Sequence, residues 1–276
     1  MDFVVTSSPE ARGVLMYLTI AAVAAAEALW PRRAGVALTI RRRWPAHFLL
    51  AVVNTFAIRL TALGLAFALT KSGWTWGVVP ALGLPFWSEV VVVYLALDIT
   101  RYALHVALHR VPLLWRLHAV HHVDQEYDFT TGLRFHPFEV VVTTAAVAVP
   151  IVLLGASPEA VLVNEFAVIV FVIVAHANTR VPAGLDRWAR LVVITPDVHR
   201  VHHSTLLEEG NTNFGITLIL WDRLFGTYRA GPRAGHEAMT IGLDGFRAPG
   251  HQRLAFALVQ PFRRQEPGFD GAASTP

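Results

Sequence analysis

Five stretches of the chain are apolar enough to be read as membrane helices: residues 14–30, 47–70, 76–104, 140–154 and 160–175. A helix needs roughly 20 such residues to cross the hydrocarbon core. The first three stretches reach that length, although Arg59 breaks the second and Pro80 and Pro85 stand near the start of the third. The last two are short, and Asn164 and Glu165 interrupt the fifth. They read as tilted spans, or as a hairpin that enters and leaves on one side. Polar punctuation marks where helices begin. Ser8-Pro9-Glu10, Ser157-Pro158-Glu159 and Thr195-Pro196-Asp197 each place a capping residue before a proline and an acid, the signature of a helix N-terminus. From 178 to 262 the pattern turns mixed, and short helices and loops are expected there.

Composition agrees with that picture. Of the 276 residues 54% are hydrophobic and only 16% charged, and the mean hydropathy is +0.46, the profile of a membrane protein. Cysteine is absent, which excludes disulfides and iron–sulfur clusters. The net charge is only +3. The arginines lie in short groups beside apolar runs, without the basic stripe and interleaved aromatics of a nucleic-acid groove. Residues 1–13 carry no basic stretch ahead of the first apolar run, so a first helix that stays in the membrane is expected rather than a cleaved signal peptide.

Charge also suggests an orientation. Arg32, Arg33, Arg41, Arg42 and Arg43 crowd the first loop and mark it as cytoplasmic under the positive-inside rule; Lys71 then falls in the opposite loop. The third span returns to the cytoplasmic side, and the fourth and fifth close a hairpin that ends there too.

That parity matters because of the histidines. Eight of the thirteen fall into three clusters: His105 and His109; His118, His121 and His122; His199, His202 and His203. Residues three and four apart share a helix face, so each cluster is expected to aim two or three imidazoles at one spot. Neutral imidazole is the commonest metal ligand and no single ion needs eight, so the pattern describes a site for two metals. His176, at the end of the fifth span, is expected to join them. His136 is a ligand, an outer hydrogen-bond partner of a ligand, or a helix-start residue. His47, His236 and His251 stand alone and read as structural. Because a bound histidine usually gives its other N–H to a carboxylate or carbonyl, Asp98, Asp124, Asn178, Asp197 and Asp222 are candidate partners, together with Glu126 and Glu139. For Asp197 helix capping is the competing role, and Arg59 is a candidate to pair with Asp98 or Glu89.

The order and spacing of these boxes resembles the fatty acid hydroxylase/sterol desaturase superfamily. Flanking segments are similar too: His109-Arg110-Val111-Pro112, Leu133-Arg134-Phe135-His136-Pro137, His176-Ala177-Asn178, Thr195-Pro196-Asp197-Val198-His199-Arg200 and the run from Leu220 to Tyr228. The likeness extends from Asp98 to Tyr228. It implies a membrane enzyme with two iron ions, O2 as co-substrate and a lipid C–H bond as target; zinc or another metal is the alternative occupant. Members hydroxylate, desaturate or cleave ether lipids. The implied ligands are His105, His109, His118, His121, His122, His199, His202 and His203, with His176.

Two other classes compete. A zinc-dependent membrane hydrolase would use His-Glu-x-x-His, but Thr240 stands where the second histidine would follow His236-Glu237. A metal transporter or store would carry ligands along a path through the spans, whereas these gather at span ends. Nothing resembles a dinucleotide fingerprint or a c-type haem motif, so a separate electron-donor protein is expected. The sequence thus predicts an all-α integral membrane helical bundle. It has four or five hydrophobic segments and a cytoplasmic histidine-rich cap formed by 105–136 and 176–262. A single oxygenase domain is expected over 1–262 with a flexible tail at 263–276, in the inner membrane of a bacterium or the endoplasmic reticulum of a eukaryote.

Overall fold

In a computed structural model, residues 7–34, 40–71 and 76–263 are described; the expected tail, beyond residue 263, lies outside them. Every regular element among them is helical, and only isolated bridges such as Val193 to Leu218 and Ser204 to Ile241 tie loops together. Helix α1 (Pro9–Leu29) begins where Ser8 accepts a hydrogen bond from the Ala11 N–H. It buries no residue and leaves an apolar surface free to face lipid.

The second apolar stretch forms two helices rather than one, α2 (Ile40–Arg59) and α3 (Ala62–Lys71). They break at Leu60-Thr61, where the Thr61 hydroxyl turns back to Ile58 O. Gly64 makes the break possible, since a Cβ there would lie 2.5 Å from Arg59 O. The third stretch is also divided. A short helix α4 (Val78–Leu82) precedes Pro85, and α5 (Phe86–Arg110) starts after it. At 1.5 Å per residue α5 is about 37 Å long, which exceeds the roughly 30 Å hydrocarbon core. Its last turns carry His105 and His109.

The turn at Val111 leads into α6 (Pro112–His122), and a 3-10 turn (Phe129–Leu133) leads into α7 (Pro137–Leu154). Gly155, Ser157 and Pro158 make the tight reversal into α8 (Pro158–Ala175), with Ala160 N–H donating to the Ser157 hydroxyl. Among the described residues four helices, α1, α5, α7 and α8, are long and apolar enough to cross a membrane. The bundle core lies among α3, α5, α7 and α8, where Ala66, Val93, Leu97, Val147, Ile151 and Ala160 are buried together.

Contacts fix the direction of each element. Asn54 donates to Phe135 O, Thr61 meets Thr144, and Gly77 touches Gly155. The α2–α3 pair therefore runs beside α7 from its first turn to its last, one traverse made in two pieces. The expected parity follows, and the arginine loop sits at the same end as the histidines. Its arginines are not simply solvated flank charges, however. Arg43 is buried and bound to Asp124 and Asp128, and Arg32 reaches Asp197 at 3.3 Å. The cap closes over that end with α9 (Ala183–Ala189), α10 (Pro196–His202), α11 (Leu207–Gly210), α12 (Leu220–Leu224) and α13 (Leu254–Val259).

Candidate metal centre

Nine histidines come together at the cap end of the bundle, in two groups. His105, His109, His118, His122 and His202 form one; His121, His176, His199 and His203 form the other. Within each group the ring nitrogens lie within 4.8 Å of one another, and every member is buried. The boxes do not each serve one spot. On α6, His118 and His122 are four apart and share the first group, while His121 turns to the second. On α10 and its C-terminal cap the pattern inverts: His199 and the capping His203 serve the second group and His202 the first. Both helices straddle the two groups because residues three apart already diverge by about 60° around a helix.

Backbone carbonyls orient most of the rings that the loops reach. Nδ1 of His105 donates to Phe214 O (2.7 Å), Nδ1 of His202 to Thr212 O (2.8 Å) and Nδ1 of His176 to Val172 O (2.8 Å). His118 Nδ1 donates to Glu139 Oε1 at 2.6 Å. These bonds assign the proton to Nδ1 and leave Nε2 as a bare lone pair. His105 Nε2 and His118 Nε2 nevertheless face each other at 3.1 Å, and His176 Nε2 lies 3.2 and 3.1 Å from those of His121 and His199. Between His105 and His118, whose protons both sit on Nδ1, two lone pairs at that distance repel unless something positive lies between them. Metal–nitrogen bonds of about 2.0–2.1 Å put two ligand nitrogens about 3.0 Å apart at a right angle and about 3.4 Å apart at the tetrahedral angle. The observed separations fall in that window. Nitrogens of His109, His122, His202 and His203 in addition have no protein partner although buried, which a shared cation would satisfy.

Burial, reinforced by the neighbouring imidazoles, holds His118, His121, His122, His199 and His203 well below the ordinary histidine range. His202 is lowered in the same way, and burial takes His176 to about 4. All are neutral near pH 7, the state a ligand requires.

The candidate partners divide differently. Among the described residues, Glu139 alone of the acids touches a clustered histidine through a hydrogen bond. Asp222 acts one step further out: it accepts from Phe214 N–H and Gly215 N–H, both at 2.8 Å, and from Thr227. It thereby fixes the Phe214 carbonyl that takes His105. Asp98 steadies the same loop through Thr217 (2.6 Å) and Trp221 (2.9 Å) and touches no histidine. Asp124 accepts from the Thr131 hydroxyl and is bound bidentately to Arg43; burial alone would raise its pKa, and the Arg43 charge overcomes that and holds it well below the usual carboxylate range. Asp197 pairs with Arg200 and Arg32. Asn178 accepts from Arg33 N–H and donates to Arg33 O. His136 is the helix-start residue: it caps α7 by accepting from Phe138 N–H, and its other nitrogen meets Leu258 O. Arg59 is exposed and pairs with neither Asp98 nor Glu89, whose Oε1 accepts from Ser157 N–H.

Two features were not anticipated. Asn213 adopts a left-handed backbone, φ 55°, between the two carbonyls that receive His202 and His105. Its side chain donates to Val198 O and Arg229 O and accepts from Arg229 N–H. Asparagine is the non-glycine residue best suited to that conformation, which was the available signal. Arg101, one turn before His105, explains the polar interruption of the fifth apolar stretch: it donates to Asn164 at 3.0 Å and pairs with Glu165.

A cavity of about 380 Å³ opens onto both groups. His105, His118, His121, His176 and His199 form part of its lining, and Val147, Val168, Ile169 and Val172 supply apolar wall.

Comparison with known proteins accords with this geometry. The chain is 38% identical over 185 residues to ornithine lipid hydroxylase OlsE of Rhizobium tropici, covering 65% of this chain and 53% of that one. It is 31% identical over 138 residues to an alkylglycerol monooxygenase of Caenorhabditis elegans, covering 48% of this chain and 25% of the relative. With the human alkylglycerol monooxygenase it shares 28% over 137 residues, 50% and 30% of the two chains. It thus spans about half the length of the first of these relatives and less of the others. No solved structure matches. The fatty acid hydroxylase profile matches residues 90–227, half of the chain and the segment that carries all nine clustered histidines, and the chain belongs to that family.

Proposed function

We propose that this protein is an O2-dependent membrane hydroxylase that inserts one oxygen atom into a C–H bond of a lipid. The observation that carries the reading is the pair of buried imidazole groups opening together into one apolar cavity within the bundle. His105, His109, His118, His122 and His202 would hold one ion, and His121, His176, His199 and His203 the other. Two redox-active ions, taken here as iron, supply the activation of O2 and the removal of hydrogen when bound. In the balance, one C–H bond, one O2, two electrons and two protons give one C–OH and one water.

The chain's own groups perform the rest. Carbonyls at 172, 212 and 214 and the Glu139 carboxylate lock four rings, so the donor set is organised before an ion arrives. The cavity between α2, α5, α7 and α8 admits a hydrocarbon chain and keeps water away from the oxidant. The names of the matched relatives, a lipid hydroxylase and monooxygenases, favour hydroxylation over desaturation. Electrons would come from a separate donor protein docking on the cap, and the arginine-rich first loop supports a cytoplasmic face for it.

The test is direct. Purified protein should carry close to two iron ions per chain. With O2, a reductant and extracted lipid it should produce a species one oxygen heavier. Loss of two hydrogens instead would make it a desaturase, and turnover without O2 would refute the proposal.

A further inference from the structure

Three of the five first-loop arginines turn inward. Arg32 meets Asp197 and Glu237, Arg33 donates to His236 O and Glu237 O, and Arg43 binds Asp124 and Asp128. Arg41 and Arg42 do not. They are exposed in the first turn of α2, and their guanidinium groups make no hydrogen bond or ion pair among the described residues. Arg253, just ahead of α13, is exposed and unpaired in the same way. All three line one groove of about 480 Å³, separate from the cavity that reaches the histidines. Ala46, Leu49 and Leu254 supply its apolar side, and no acid lines it among the described residues. Like charges gathered on one groove repel, and nothing on this wall offsets them.

The groove runs on into apolar surface. Arg42, Pro45, Leu49, Val52 and Phe56 recur at alternating intervals of three and four, so they form one stripe of α2. Leu49, Val52 and Phe56 are 50%, 55% and 59% exposed. From Leu49 to Phe56 the helix rises about 10 Å, which fits inside one leaflet of about 15 Å. Positive charge at the end of the bundle, followed by hydrocarbon along one helix face, is the order of an anionic amphiphile lying beside α2.

We propose that this groove holds an anionic phospholipid. Its phosphate accepts hydrogen bonds from Arg41, Arg42 and Arg253, and one acyl chain lies along Leu49, Val52 and Phe56. Guanidinium suits the task because its planar fork matches phosphate oxygens in pairs. Arg41 and Arg42 belong to α2 and Arg253 to the cap, so the bound lipid ties the two together beside the contact of Ala257 with Leu50. A free phosphate or an acidic protein would answer the charge and leave the apolar stripe uncovered. This lipid is a structural ligand rather than a substrate, and the site stands independently of the hydroxylase reading.

The experiment uses the full chain, stripped of lipid in detergent and offered phosphatidylglycerol or phosphatidylcholine with identical acyl chains. Native mass spectrometry counts the lipid retained. One phosphatidylglycerol per chain is expected, held about tenfold or more over phosphatidylcholine, with a rise in melting temperature that phosphatidylcholine does not give. Arg42→Gln/Arg253→Gln should abolish both the preference and the rise. Arg187→Gln/Arg233→Gln removes two exposed charges outside the groove and should preserve them. Equal retention of the two lipids by the wild type would overturn the inference, as would a preference that survives loss of Arg42 and Arg253. Retention of sn-glycerol 3-phosphate or of a poly-glutamate peptide as strong as that of phosphatidylglycerol would also overturn it, by assigning the groove to a free phosphate or to an acidic protein.

Discussion

Asn213→Ala should empty the first histidine group while sparing the second. Asn213 is fully buried and sits at φ 55° between Thr212 and Phe214. Its side chain makes three hydrogen bonds of 2.8–2.9 Å, to Val198 O, Arg229 O and Arg229 N. Alanine removes all three, at about 1 kcal/mol each. It must also hold a left-handed backbone without a side chain that stabilises it, at about 1 kcal/mol more. The sum, about 4 kcal/mol, is large against the roughly 5–15 kcal/mol that holds a domain folded. The backbone can avoid part of that cost by relaxing out of the left-handed region. Doing so swings the Thr212 and Phe214 carbonyls away from His202 and His105. Asn213→Gly loses the same bonds but tolerates the conformation, so it should be milder by about 1 kcal/mol. Metal analysis and melting in detergent read the outcome. The alanine variant is expected to hold about one ion per chain and the glycine variant more. Two ions with an unchanged melting temperature in Asn213→Ala would refute the idea that this turn aims the rings.

Three further outcomes follow from contacts elsewhere. In Gly132→Ala the new Cβ would lie 3.0 Å from Val172 Cγ1 and 3.1 Å from His176 Nδ1; overpacking of about 1–3 kcal/mol should weaken metal retention in the second group first, seen as biphasic chelation. Asp124→Asn breaks the buried pair with Arg43 and should cost about 3–5 kcal/mol, read as lost yield and a lower melting temperature; normal accumulation would refute it. His136→Ala removes a helix cap worth about 0.5–2 kcal/mol yet should leave the ion count unchanged, whereas a drop in bound metal would make His136 a ligand.

Much of the architecture was legible because membrane helices and histidine boxes are both written in local spacing. The proline starts at 9, 158 and 196 and the reversal at Gly155 follow from turn chemistry that acts within four residues. What was hidden depends on pairs far apart in the chain. Arg43 read as a membrane-flanking charge, and only its meeting with Asp124 and Asp128, more than 80 residues later, turns it into a buried strut. Asp98 and Asp222 looked equivalent as partners of the boxes, but the loop from 212 to 222 intervenes and lets backbone carbonyls take the ring protons instead. The division of the boxes between two groups was hidden for a related reason. Helical spacing says which residues share a face, but not that two groups of partners would stand on either side of it.

That division gives the two groups different histories as the chain is made. Four of the five histidines of the first are already in place once residue 122 has been added, on two consecutive helices. The second has only His121 by then; it acquires His176 after the α7–α8 reversal, and His199 and His203 last. A growing chain therefore presents one nearly finished nest of imidazoles long before the other exists, and a ribosome stalled between 122 and 176 would display a lopsided protein.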